Sequence, residues 1–144
     1  MATENIIVEQ KNVPTAYFNV KDRILVVPTL KEEIGPTLYD LFMGHEVGHA
    51  LFTPPDGWHD CVKEMGVNRS ILNVCEDARI EKLICRKYPG LKSSFRKAYA
   101  ELNERDFFGL KYRDINHMSF IDRLNLYTKS QYTENIYFSS EEMQ

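Results

Sequence analysis

The residues of this chain best suited to chemistry lie in Gly44-His45-Glu46-Val47-Gly48-His49. Two histidines four apart on a helix stack their imidazoles one turn apart and aim both at one point. That spacing suits two nitrogen ligands on one Zn²⁺, and Glu46 between them is within reach of a metal-bound water as general base. Two histidines do not hold a zinc by themselves. A third protein ligand must come from elsewhere, with a fourth position left for water.

The element that carries the motif is a helix. Leu38, Leu41, Phe42, His45, His49 and Phe52 recur at three- and four-residue spacing, so both histidines continue an apolar stripe facing the core. Thr37 is the expected N-cap, and Thr53-Pro54-Pro55-Asp56-Gly57 is expected to be a loop that ends the helix. Gly44 and Gly48 each cost a helix about 1 kcal/mol relative to Ala. They imply either a strand or helix crossing closely at those positions or space for substrate beside the metal.

A second long helix is expected from a cap at Asn68 or Ser70 to about Tyr88, ended by Pro89-Gly90. It contains the adjacent carboxylates Glu76 and Asp77. Glu76 shares a face with Leu72, Ile80 and Leu83 and so projects toward the core, where an unpaired carboxylate is costly and a metal-bound one is not. Glu76 is therefore the leading third ligand. Asp77, about 100° around the helix, is placed to accept a ring N–H from His45 or His49 and so fix the ligating tautomer. Asp77 is also an alternative ligand, as are His59 and Asp60 after the loop. The competing role for Glu76 is an ordinary ion pair with Arg79, and Cys75 is expected to be a buried apolar thiol.

His45-Glu46-x-x-His49 followed by Glu76 on a second helix resembles the gluzincin-type, thermolysin-like zinc metallopeptidases. The longer run His45-Glu46-Val47-Gly48-His49-Ala50-Leu51-Phe52 with Asn73-x-x-Glu76-Asp77-x-Arg79-Ile80-Glu81 is most similar to metallopeptidases of tailed bacteriophages. The similarity covers roughly residues 40 to 90. It implies His45, His49 and Glu76 as ligands of Zn²⁺, Glu46 as catalytic base, and an α+β, zincin-like fold with a small N-terminal antiparallel sheet on a mostly helical body. The thermolysin pattern has an Asp four residues after the ligand glutamate, where this chain has Ile80, so holding a ligand histidine would fall to Asp77 or Asn73. No von Willebrand factor A-type domain of the longer phage members follows, so the chain reads as a short member or a piece of a longer protein.

The expected function is zinc-dependent hydrolysis of a peptide bond, with Arg79, Tyr112, His117 and Tyr127 as candidates to polarise the scissile carbonyl. The strand at Arg23 to Val27 is a candidate edge for an extended substrate. A different class of function is also open: a catalytically weak or inactive binding protein on the same scaffold, engaging a host or viral partner through Phe107, Phe108 and Tyr112. A third is hydrolysis of a non-peptide bond by the same metal chemistry.

Strands are expected at Ile6 to Val8, Ala16 to Val20 and Arg23 to Val27, the last two as a hairpin. A short helix or turn is expected over Trp58 to Gly66, and further helices over Leu91 to Leu102 and from a Ser119/Asp122 capping pair to about Tyr127. Residues 1–128 then form one domain and 129–144 a polar, loosely ordered tail.

With 43% apolar residues, 12% aromatic residues and a net charge of −3, the composition is globular and argues against a nucleic-acid surface. The cationic stretch from Arg79 to Arg105 is interleaved with Glu81, Glu101 and Glu104, as on a solvated helix face. Cys61, Cys75 and Cys85 are odd in number and lack metal-site spacing. Together with the lack of a secretory leader or an apolar run of about 18 residues, they suggest reduced thiols in a cytoplasmic protein, that of the host if phage-encoded, without a membrane partner.

Overall fold

The computed structural model describes residues 6–13, 16–19, 21–29, 35–129 and 135–144, apart from the side chains of Pro55, Trp58 and His59. The described elements are strands β1 (Ile7–Lys11), β2 (Tyr17–Asn19) and β3 (Ile24–Pro28), and helices α1 (Pro36–Phe52), α2 (Pro55–Lys63), α3 (Arg69–Lys87), α4 (Leu91–Glu104) and α5 (Phe120–Lys129). A short 3₁₀ turn covers Ile115–His117. The class is α+β.

The sheet is mixed, not antiparallel, with strand order β1-β3-β2. β2 and β3 form the expected antiparallel hairpin, pairing Phe18 with Leu25. β1, however, runs parallel to β3, with Val8 opposite Leu25. The unbroken apolar run at Leu25, Val26 and Val27 is what a strand covered on both faces requires, and all three residues are buried. β3 is thus the central strand. Both its edges are taken, so it offers no edge to an extended substrate.

α1 begins at Pro36, with Gly35 as N-cap and no side-chain cap, so Thr37 is not the cap. Proline at the first helical position has no N–H to leave unsatisfied and its φ is already helical, which makes a capping hydroxyl unnecessary. The same device extends helix into the expected loop: α2 starts at Pro55 and includes Gly57. α3 follows the expected pattern, with the Asn68 side chain accepting from the N–H groups of Ser70 and Ile71. At α5, Ser119 donates to Asp122 and accepts from its N–H, the reciprocal cap expected there.

α1 lies against α3 and α4 over a core of Leu38, Leu41, Ile84, Phe95, Ala98 and Leu102. Phe42, placed on the apolar stripe by its spacing, is exposed. The two glycines mark where α1 is approached closely. A Cβ on Gly44 would stand 2.7 Å from the Phe95 ring, and one on Gly48 2.8 Å from Ile80 Cδ1. They make room for neighbouring helices.

Residues 135–144 do not behave as the loose tail expected from their composition. Ile136 is buried, Phe138 packs edge-on against Phe120 and Tyr127, and Arg123 donates to the Tyr137 carbonyl and pairs with Glu142. Among the described residues no helix is long and apolar enough to cross a membrane.

Candidate metal centre

α1 and α3 cross with Gly48 against Ile80, and this close contact decides which residues of α3 face the histidines. The buried residues of α3 are Val74, Ile80, Glu81 and Ile84. Relative to Asp77 these are positions −3, +3, +4 and +7, so Asp77 is at the centre of the stripe turned toward α1. Glu76 is one residue off it.

His45, His49 and Asp77 accordingly form a cluster whose candidate ligand atoms all lie within 4.8 Å of one another. The two Nε2 atoms are 3.2 Å apart. Asp77 Oδ1 is 3.3 Å from Nε2 of His49 and 3.7 Å from Nε2 of His45. Ligands about 2.0–2.1 Å from a tetrahedral zinc are separated by about 3.4 Å, so this triangle has the size of one face of a zinc coordination shell.

The hydrogen bonds behind the rings select the matching tautomers. Thr53 donates its hydroxyl proton to Glu76 Oε1 at 2.6 Å, so it accepts from Nδ1–H of His49 at 2.9 Å. Nδ1–H of His45 donates at 2.9 Å to Glu81, a residue only 8% exposed that also accepts from the Tyr99 hydroxyl at 2.7 Å. Both Nε2 lone pairs then converge with a carboxylate oxygen. Such an arrangement is stable around a positive charge, whether a metal cation or a proton.

The proton affinities agree. Burial disfavours the imidazolium of His45, but the Glu81 hydrogen bond and the charges of Asp77, Glu81 and Glu46 outweigh it and raise its pKa. Burial likewise opposes ionisation of Asp77. When a proton stands on Nε2 of His49 in a metal's place, its hydrogen bond to Asp77 and that of Lys129, with the charges of Lys129 and His45, nevertheless hold the Asp77 pKa at about 2. Burial raises the pKa of Glu46, opposed by the two histidines and reinforced by Asp77.

No family model, no curated protein and no solved structure matches the chain.

Of the residues expected at the site, His45, His49 and Asp77 are brought together, with Glu46 on the same turn of α1. Glu76 is not part of the cluster. Both its oxygens accept from Arg79 at 2.7 Å, and Oε1 also accepts from Thr53, which leaves it behind His49 and away from the Nε2 atoms. Its pKa is lowered chiefly by Arg79, against the effect of burial, with Thr53 contributing. The ion pair with Arg79, the ordinary alternative in the sequence, is what forms. Asn73 and Cys75 are exposed, as is Asp60, and the side chain of His59 lies outside the described residues.

The four candidate electrophiles are also elsewhere. Arg79 is committed to Glu76 and to the Phe52 carbonyl, His117 is 86% exposed beside Asp114, and Tyr112 is 90% exposed. Tyr127 packs on Phe138. The residues that spacing did not single out are Thr53, Glu81, Tyr99 and Lys129. Glu81 had a signal: four residues after Asp77, it stands on the same helix face, as an acid holding a ligand histidine must.

Proposed function

We propose that the chain is a zinc-dependent metallopeptidase whose ligands are His45, His49 and Asp77 and whose general base is Glu46. The observation that carries this reading is the convergence of two Nε2 lone pairs and Asp77 Oδ1, at 3.2–3.7 Å, beside the glutamate of the same motif. Zinc, when bound, supplies Lewis acidity and brings the pKa of a coordinated water down toward about 7. Glu46 is suited to take that water's proton, because its raised pKa brings it closer to the operating pH of a general base. Glu81 with Tyr99 and Thr53 with Glu76 hold the two rings in the ligating tautomer. The gluzincin resemblance keeps its two histidines and its base in this proposal, while its third ligand moves from Glu76 to the neighbouring Asp77. It also proposes the substrate as a peptide or protein, from host or phage, in the host cytoplasm.

The test is metal content of the purified chain, by mass spectrometry, beside Asp77→Ala, Glu76→Ala and Glu46→Gln. About one zinc per chain is expected in the wild type, in Glu46→Gln and in Glu76→Ala, and a loss of zinc in Asp77→Ala. Cleavage of unfolded protein or peptide substrates is expected in the wild type and abolished in Glu46→Gln. Zinc retained by Asp77→Ala and lost by Glu76→Ala would return the third-ligand role to Glu76.

One observation favours the binding-protein reading: Phe107 and Tyr112 are exposed, and an apolar ring in water suits a partner surface. A closed, four-ligand metal would favour that reading, and X-ray absorption on the zinc-loaded chain distinguishes it from three protein ligands and water; a chain that takes up no zinc would favour it as well.

A further inference from the structure

Lys129, the last residue of α5, is 52 positions from Asp77 in sequence, yet its ammonium donates to Asp77 Oδ2 at 2.6 Å. Both side chains are largely covered, at 15% and 21% exposure. A lysine normally keeps its ammonium in water, and covering it is costly without a specific partner. Here the partner is the acid whose other oxygen, Oδ1, faces both histidines.

The three candidate ligands share one pattern. Each has two atoms able to bind a metal, and in each the second atom is engaged from behind. Nδ1 of His45 is held by Glu81, Nδ1 of His49 by Thr53, and Oδ2 of Asp77 by Lys129. For the histidines this selects the ligating nitrogen. For the aspartate it favours Oδ1 as the ligating oxygen, because the ammonium engages a lone pair of Oδ2, crowds that oxygen with a positive charge and draws electron density toward it.

We propose that Lys129 is a positioning residue that restricts Asp77 to a single ligating oxygen, so that the metal keeps a position open for water or substrate. This rests on the metal-centre reading above. A carboxylate free at both oxygens can bind through two, which adds a ligand atom and fills that position. The link also makes α5 a structural member of the site, although it carries no ligand.

The test uses the full chain loaded with Co²⁺ as a spectroscopic substitute for zinc. Four-coordinate Co²⁺ absorbs visible light strongly, and absorption weakens as coordination rises. Strong absorption is expected in the wild type and in Lys129→Arg, with at least a twofold fall in Lys129→Met at full metal occupancy. Lys129→Met with the wild-type spectrum would overturn the proposal. Should Lys129→Met fail to fold, judged by circular dichroism, X-ray absorption on the wild type decides: Asp77 bound through one oxygen supports the role, and binding through both overturns it. Absence of Co²⁺ uptake by the wild type overturns the metal-centre reading and this inference together, an outcome distinct from uptake with an unchanged Lys129→Met spectrum.

Discussion

At the scale of single residues, Asp77 joins the two histidines to Lys129, and its ionisation should be visible in the stability of the chain. Its folded pKa of about 2 lies below the ordinary 3.8. A depressed carboxylate pKa contributes stability that is fully present above the unfolded value and is lost as pH falls through the folded one. In chelator-treated protein, urea unfolding should therefore lose about 1–2 kcal/mol between pH of about 4 and about 2, allowing for partial exposure. Asp77→Asn should lack that component; an identical pH profile in the variant would show that Asp77 is not the group responsible. Tyr99 gives a second check. Tyr99→Phe removes a hydrogen bond to the nearly buried Glu81 and should cost about 1–3 kcal/mol in the same assay, because a buried acceptor loses one of its donors.

At the scale of elements, the helix crossings decide the site, and the glycines of α1 permit them. Gly44→Ala would drive a methyl into the Phe95 ring, which is rigid and enclosed. The expected overpacking cost of about 1–3 kcal/mol exceeds the roughly 1 kcal/mol gained in helix propensity, so the thermal midpoint should fall. A rise would mean that Phe95 has room to turn aside. The N-cap of α3 is a separate contribution. Asn68→Ala leaves the N–H groups of Ser70 and Ile71 without their acceptor and should cost about 1 kcal/mol, measured by denaturant titration.

At the scale of the whole molecule, the candidate ligands come from α1 and α3, with α4 supporting through Tyr99 and α5 through Lys129. Metal binding should therefore stabilise the whole helical body. With free zinc at about 100 times its dissociation constant the gain is about 2.7 kcal/mol. That corresponds to a rise of several degrees in Tm for a chain of this size, reversed by chelator. An unchanged Tm on adding zinc would count against a specific site. The segment 135–144 reaches the centre indirectly, because Arg123 and Phe138 tie it to the helix that ends at Lys129.

The amino-acid sequence by itself determined the local features. Asparagine and serine signals marked the starts of α3 and α5, whereas the prolines that open α1 and α2 lie in stretches that read as approach and loop; an apolar run marked the central strand, and histidine spacing on an apolar helix face marked two candidate ligands. These follow from interactions within about one helical turn, which a sequence displays directly. Its α3 stripe was ambiguous by one position: Leu72, Ile80 and Leu83 point to Glu76, whereas Val74, Ile80 and Ile84 point to Asp77. Only the packing of Gly48 on Ile80 resolves this, by setting which face of α3 meets α1. The parallel pairing of β1 with β3 and the approach of Lys129 to Asp77 were likewise decided by tertiary structure. Both join residues far apart in the chain, and no local propensity encodes which distant partner a strand edge or an ammonium will find.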